Sequence, residues 1–312
     1  MIVGIDVSKD KLDIHISGIK KDFVIKNTQS SIHSFMKNSF AKLCSPELIV
    51  FEATGGYEKT LQLYLLRQGR PYHKAHPNKV HYFGKSKGYF AKTDRIDARM
   101  LSLYGEQVDV VSDQSINEQQ IEIQELSARK TQLKDQIERE QHRLNHVYLN
   151  KQIARSLKRM IKALQKEVAM IEESLESFIA KDEALEAKRT LLKTVKGIGD
   201  EISTLLVSNL PELGRLSREE ISALVGVAPQ TKDSGKKQGY RSISRGRFYV
   251  RKALYMAALV ASRHNPRMQI IYQRLLAKGK KKKVALVAVM RKMLIMMNAM
   301  VKNETPWESS RI

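Results

Sequence analysis

Between Glu106 and Lys196 the chain contains neither glycine nor proline. So long a stretch without a residue that breaks or bends a helix is expected to be helical, and it divides the chain into a part before and a part after. Within it Leu157, Ile161, Leu164, Val168, Ile171, Leu175 and Phe178 recur at spacings of four and three, a heptad seam. Leu126, Leu133, Ile137, Leu144 and Val147 make a looser seam upstream. The two fall out of step near Asn150, which predicts two long helices, either a hairpin or a bent pair. The seam can be covered by the neighbouring helix of the same chain or by a second copy. Because the stretch has little else to pack on, self-association is the favoured expectation, as a dimer or a tetramer. We assign residues 111–188 to this helical, coiled-coil middle.

Ahead of it, residues 1–110 change hydrophobic period in a way that predicts an α/β domain. Ile2 to Val7 is a short apolar run interrupted by Asp6, Leu12 to Ile16 alternates, and Phe23 to Ile25 is a third run. These read as three strands joined by tight turns, an antiparallel meander. A helix around Ser30 to Phe40, a buried strand at Leu48 to Phe51 and a helix near Tyr57 to Arg67 follow. A strand near Pro71 to His73 and a helix opening around Thr93 complete the block. Three strands and then alternating helix and strand is the pattern of an RNase H/RuvC-like mixed sheet.

After Lys196 glycine and proline return, and residues 189–303 read as a compact all-α domain ending in a short tail, 304–312. Thr194 to Gly199, between two helical stretches, looks like a helix-hairpin-helix. In such a turn Gly197 and Gly199 would let backbone N–H groups approach a DNA phosphate, although Gly-x-Gly is also an ordinary helix stop. Val284 to Val301 is apolar and rich in methionine, but Arg291 and Lys292 at its centre predict a buried or partner-facing helix rather than a membrane span.

Charge narrows the function classes. Lys and Arg number 55 against 33 Asp and Glu, a formal net charge of +22 and a pI near 9.9. Such a surface attracts polyanions and points to nucleic acid. The single cysteine, Cys44, excludes an internal disulfide framework and a thiolate metal site, which fits a reducing cytoplasm. The first residues, with an acid at position 6 and no long apolar run, do not form a signal peptide.

Two constellations carry chemistry. Asp6 interrupts a strand, Glu52 follows the apolar run Leu48 to Phe51, and Asp94 and Asp97 share one face of the helix they open. Singly each has an ordinary reading, as a helix cap or a solvated strand end. Together, four converging carboxylates would repel one another unless divalent cations neutralised them. Oxygen ligands of this kind select Mg²⁺ or Mn²⁺. The second constellation is a basic stretch around Asp233-Ser234-Gly235, with Lys232, Lys236, Lys237, Arg241, Arg245, Arg247, Arg251 and Lys252. It can grip several phosphates. A serine hydroxyl needs a base or a metal to act as nucleophile. On the residues alone Ser234, Ser242 and Ser244 are equal candidates, and a turn-forming role is open to each.

Three segments resemble, in order and spacing, the N-terminal blocks of the Piv/MooV-type insertion-sequence transposases, the insertion sequence one-hundred-and-ten family. They are Gly4-Ile5-Asp6-Val7-Ser8-Lys9, Glu52-Ala53-Thr54-Gly55-Gly56-Tyr57 and Lys92-Thr93-Asp94-Arg95-Ile96-Asp97-Ala98. Gly226-Val227-Ala228-Pro229, Asp233-Ser234-Gly235 and Arg263-His264-Asn265-Pro266 are similar to the C-terminal domain of the same family. The resemblance implies a DEDD site of Asp6, Glu52, Asp94 and Asp97 binding Mg²⁺ or Mn²⁺. It also implies a Ser234 that forms a covalent phosphoserine link to DNA, with the metals contributed by another protomer. It further implies a structured guide RNA from the element and a cytoplasmic, nucleoid-associated place in a bacterial or archaeal cell. A RuvC-like junction nuclease, which has no use for Ser234, a DNA invertase and a non-catalytic nucleic-acid-binding protein are the other readings.

Overall fold

The computed structural model describes residues 1–19, 21–40, 47–88, 94–110, 112–113, 117–146, 148, 150–230 and 242–307, leaving aside the side chains of Ser39, Asp94 and Arg95. The chain forms two compact units, Met1–Glu118 and Gln119–Ile312.

The first unit is built on a five-stranded sheet of order β3-β2-β1-β4-β5. Its strands are β1 (Ile2–Val7), β2 (Lys11–Ile16), β3 (Phe23–Lys26), β4 (Leu48–Glu52) and β5 (Tyr72–Ala75). β1, β2 and β3 form the expected antiparallel meander, whereas β4 pairs parallel to β1 and β5 parallel to β4. Between the strands run α1 (Gln29–Ser34) and α2 (Lys59–Arg67), and after β5 come α3 (Pro77–Ser86) and α4 (Asp94–Gln107). The helix expected to reach Phe40 continues past α1 as a π-helical turn, Phe35–Phe40. Helix α3 was not anticipated from hydrophobic period. It opens on His76, whose ring accepts from the Asn78 N–H, with Pro77 in the first turn, so its start signal lies in capping.

Alternation along the strands sorts the two faces. Val3, Ile5, Leu12, Ile14, Ile49 and Phe51 are buried on one face with Ile32, Met36, Leu61 and Leu65 of the helices. On the other, Leu48 and Val50 pack with Val80, Met100, Leu101 and Tyr104. Helix α4 lies very close to this second face. A Cβ on Gly4 would stand 2.1 Å from the Ala98 carbonyl oxygen and 2.4 Å from the Ser102 nitrogen. One on Gly105 would meet Ile2 and Val50 methyls at 2.7 and 2.8 Å. The two missing side chains let helix and strands touch almost backbone to backbone. Ser102 donates its hydroxyl to the Ile2 carbonyl at 3.2 Å. On the same face, towards β2, Asp22 accepts from Arg99 and pairs with His15 Nδ1, each at 2.7 Å, tying α4 to β2.

The second unit is helical. It holds α5 (Glu118–Leu144), α6 (Lys151–Ala180), α7 (Glu183–Lys193), α8 (Asp200–Asn209), α9 (Arg218–Val225), α10 (Phe248–His264), α11 (Pro266–Ala277) and α12 (Lys282–Asn303). Helices α5 and α6 run antiparallel as a hairpin. Gln119 reaches the Phe178 carbonyl near its base, and Lys130 and Lys134 both pair with Glu172 further along. The break falls where the seams lose step, and Asn150 caps α6 by accepting from the Gln152 N–H. Ile161, Val168 and Leu175 are buried and the other described seam residues half-buried within this single chain. Val147 lies outside the described residues. Helix α12 is long and apolar enough to cross a membrane by length and composition, with half of its apolar window buried inside the protein. Val289, Met290, Met293, Leu294 and Met297 make it a central core helix. Its buried Asn298 is satisfied by the Gly214 N–H and the Leu216 carbonyl, both at 2.8 Å.

The substitution Gly4→Ala is expected to lower the melting temperature by at least about 4 °C, because the clashing atoms are backbone and the helix must lift. Thermal denaturation followed by circular dichroism measures this; an unchanged melting point would show that α4 does not need so close an approach.

Candidate active site

Strand alternation and pairing decide where the acids go. Asp6 lies two residues beyond Gly4 on β1 and Glu52 two beyond Val50 on β4, so both carboxylates project from the face that α4 covers. The register pairs Ile5 with Phe51, and continuing it by one residue sets Asp6 beside Glu52 on adjacent parallel strands. Gly105 sits over Ile2 and Val50, while Ala98 and Ser102 sit over Gly4. Followed towards its N-terminus, α4 therefore advances along the strands in the direction of Asp6 and Glu52. That brings its first turn, Asp94 to Asp97, to their end of the sheet. Asp6, Glu52 and Asp97 are each half-buried, open to solvent at one side.

The donor set is all carboxylate, the chemistry that suits a hard divalent cation. Among the described residues no group of three or more Asp, Glu, His or Cys side chains closes on a single point as a ready metal site. The Asp94 side chain lies outside the described residues, so the fourth acid is not part of that comparison.

The sequence reading overlooked two further acids here. Asp13, on β2, pairs directly with Asp6 across the antiparallel ladder and shares its face. It is 4 % exposed, with Lys11 Nζ 3.1 Å from its Oδ2, within ion-pair distance but not aligned as a hydrogen bond. The alternation that places Leu12 and Ile14 on the apolar face could have identified it. Glu58, also buried, organises the loop that follows Glu52. Its Oε2 accepts from the Thr54 N–H at 3.2 Å, the Thr54 hydroxyl at 3.0 Å and the Gly56 N–H at 2.8 Å. Burial pushes this carboxyl up, but the hydrogen bonds from the loop, helped by Lys74, outweigh it and hold the group below the usual glutamate range.

In the second unit Ser234, Lys232, Lys236, Lys237 and Arg241 lie outside the described residues. The ends of their segment are pinned by an antiparallel bridge between Gln230 and Ser242, with the Gln230 N–H donating to the Ser242 carbonyl at 2.9 Å. The Ser244 hydroxyl donates to Gln230 Oε1 at 2.9 Å, so this serine helps hold the base of the loop. Of the basic residues, Arg247 is committed inside the protein. Its guanidinium forks onto Glu212 and donates to the Asn209 carbonyl at 2.7 Å. Arg251 donates to the Val225 and Arg245 carbonyls at the end of α9. Lys252 is exposed and faces Asp135 at 3.5 Å and Glu138 at 3.9 Å. Arg245 is exposed, with a left-handed backbone at φ 61°.

Gly197 has φ +106° and a Cβ there would press on the Ala257 carbonyl at 3.0 Å, so this glycine lets the α7–α8 turn lie against α10. Gly199 is open to solvent at the start of α8, but Asp200 and Glu201 follow it in the first turn and suit the positive helix end themselves.

The model of the DEDD transposase domain of the IS110 type matches residues 3–153, and that of the transposase IS116/IS110/IS902 family matches residues 189–273. The chain belongs to this family of insertion-sequence transposases. Over nearly its whole length it is also similar to the pilin gene-inverting proteins of Moraxella bovis and Moraxella lacunata. Each is 26 % identical over 322 residues, covering 98 % of this chain and 97 % of the relative. The transposase thus acts on DNA, in recombination. The first match contains the whole carboxylate face and the second contains Ser234 and the basic segment.

A carboxylate held below its ordinary value contributes stability that is complete above the unfolded-state pKa and is lost as pH falls through the folded one. Glu58→Gln should therefore melt below the wild type at neutral pH, with the gap narrowing as pH falls through about 4. A gap that stays constant across that range would show Glu58 acting by packing alone.

Proposed function

We propose that this transposase cleaves and rejoins DNA with two chemical centres, a carboxylate site at Asp6, Glu52, Asp94 and Asp97 and a nucleophile at Ser234. The observation that supports it best is the placing of Asp6 and Glu52 side by side on parallel strands, at the end of the sheet towards which α4 carries Asp94 and Asp97. Nothing in a packing role asks for acids on adjacent strand ends in the same RuvC-like unit, where they repel. Held there, Mg²⁺ or Mn²⁺ would supply charge neutralisation at the scissile phosphate and stabilisation of the departing 3′ oxygen.

In the cleavage step the Ser234 oxygen bonds to the scissile phosphorus as the bond from phosphorus to the 3′ oxygen breaks. The serine proton passes to solvent and the freed 3′ oxygen takes one up. Rejoining reverses this with a 3′ hydroxyl of a different strand, which displaces the serine and restores a phosphodiester. One phosphodiester is exchanged for another, so no nucleotide hydrolysis is needed. Lys232, Lys236, Lys237 and Arg241, with Arg245, would hold the flanking phosphates.

The finer features belong to the same proposal. The domains divide as 1–110, 111–188 and 189–303, the middle hairpin supports homo-oligomers, and one protomer's Ser234 works with a neighbour's carboxylates. A structured guide RNA from the element selects the DNA, and the protein works at the nucleoid. Similarity to the pilin gene-inverting proteins favours one second reading, in which the same chemistry inverts a DNA segment.

Expressed beside its native flanking DNA, the wild type is expected to yield amplifiable recombinant junctions, and Asp6→Ala and Ser234→Ala to yield none. Junctions that persist in Ser234→Ala would remove the serine from the mechanism. Co-expressing the two variants tests sharing between protomers: restored junctions support it, and none at any ratio removes it. Whether the product is a circle or an inverted segment separates the two readings.

A further inference from the structure

The second unit holds a groove of about 950 Å³ that the proposed mechanism does not use. Its rim carries Lys280, Lys281, Lys283, Arg291 and Lys292. None of these five takes part in an ion pair among the described residues, and no carboxylate is among the described lining side chains. Arg291 Nε is buried without a hydrogen-bond partner among the described residues. Glu219, which Arg218 holds at 2.6 Å, feels the Arg291 charge but does not line the groove. The floor is apolar, made by Val227, Ile243, Val284, Val287 and Ile295.

The pattern follows from α12. Its buried stripe, Val289, Met290, Met293, Leu294 and Met297, feeds the core. The adjoining stripe, Val284, Val287, Ala288, Arg291 and Ile295, keeps helical spacing and lines the groove half-exposed or exposed. From Lys281 to Arg291 the helix advances about 15 Å. Cations are thus set at both ends of an apolar trough, with no carboxylate among its described lining side chains.

We infer that this groove binds a single-stranded stretch of polynucleotide, its phosphates on the rim cations and its bases against the apolar floor. A duplex offers phosphates but hides its base faces, leaving the floor unused, whereas a single strand presents both. Ser242 is the only uncharged side chain with a hydroxyl or amide in the described lining, so DNA and RNA strands should be held alike. The inference extends the DNA-recombining role without resting on the carboxylates or on Ser234, because recombination exposes single strands whichever groups break them.

The test is fluorescence anisotropy of the full chain with labelled oligo-dT, oligo-rU and duplex DNA over a range of salt. EDTA is present throughout, so the outcome is independent of metal and of strand cleavage. The triple variant Lys281→Gln, Lys283→Gln, Arg291→Gln is compared with Lys158→Gln, Lys162→Gln, Lys166→Gln on exposed positions of α6, which removes the same charge elsewhere. The groove variant is expected to lose about tenfold or more in oligo-dT affinity, with the salt slope shallower by about 2, near 0.7 per phosphate contact. Duplex binding should change by less than about threefold. Val284→Asn, at a surface position 41 % exposed, should weaken oligo-dT and leave the salt slope unchanged. Circular dichroism melts confirm that each variant is folded. Equal losses for single strand and duplex, equal losses in the α6 variant, or no loss at all would each overturn the inference. So would a groove variant that retains oligo-dT but loses binding to phosphatidylcholine–phosphatidylglycerol vesicles, since the cations would then serve a lipid surface. If oligo-rU and oligo-dT differ by more than about tenfold, the lining reads the sugar and the non-discriminating groove is overturned.

Discussion

The contact between α4 and strands β1 and β4 is the constraint on which the first unit depends. Gly4 and Gly105 remove the side chains that would keep helix and sheet at ordinary packing distance. The Ser102 hydroxyl and the Arg99–Asp22–His15 network then fix how the helix lies. A helix held this tightly cannot slide, so the position of its first turn relative to the ends of β1 and β4 is set by backbone geometry. The acids of the proposed site benefit from such placement, since small displacements of reacting groups are costly.

Electrostatics divides the labour between the units. The first concentrates negative charge on one sheet face, where Asp13 adds a buried carboxylate beside Asp6. Glu58 is a different kind of acid. Its charge is spent on loop N–H groups, and it serves by holding the turn after Glu52 in shape. The second unit carries its positive charge in two ways. Arg247 turns inward to Asn209 and Glu212 at the end of α8 and Arg251 to the end of α9, whereas the lysines at the start of α12 remain open. A count of basic residues treats these alike; only their partners distinguish an arginine that holds the fold from a lysine free to meet phosphate.

Much of the architecture was legible in the sequence because its signals are local. The three-strand meander, β4, α2 and the break at Asn150 follow from period and capping. Helix α3 escaped because its start is announced by His76 and Pro77 and not by periodicity. The π-helical turn at Phe35–Phe40 departs from any repeat a helical pattern assumes. A heptad seam marks a face but cannot say whose surface covers it: three of the seven α6 seam residues are buried within this chain and four stay half-buried.

The sequence by itself determined which residues are acids, where helices start and stop, and that the chain belongs with polyanions, because composition, spacing and capping are properties of neighbours along the chain. Only tertiary structure decided that Asp6 and Glu52 stand on adjacent strands, that Asp13 joins their face, that Arg247 is bound to Glu212, and that α12 offers one stripe to the core and another to a cationic groove. Those facts depend on register and helix rotation. Both are fixed by contacts between residues far apart in sequence, where a shift of one position would send each side chain to a different face.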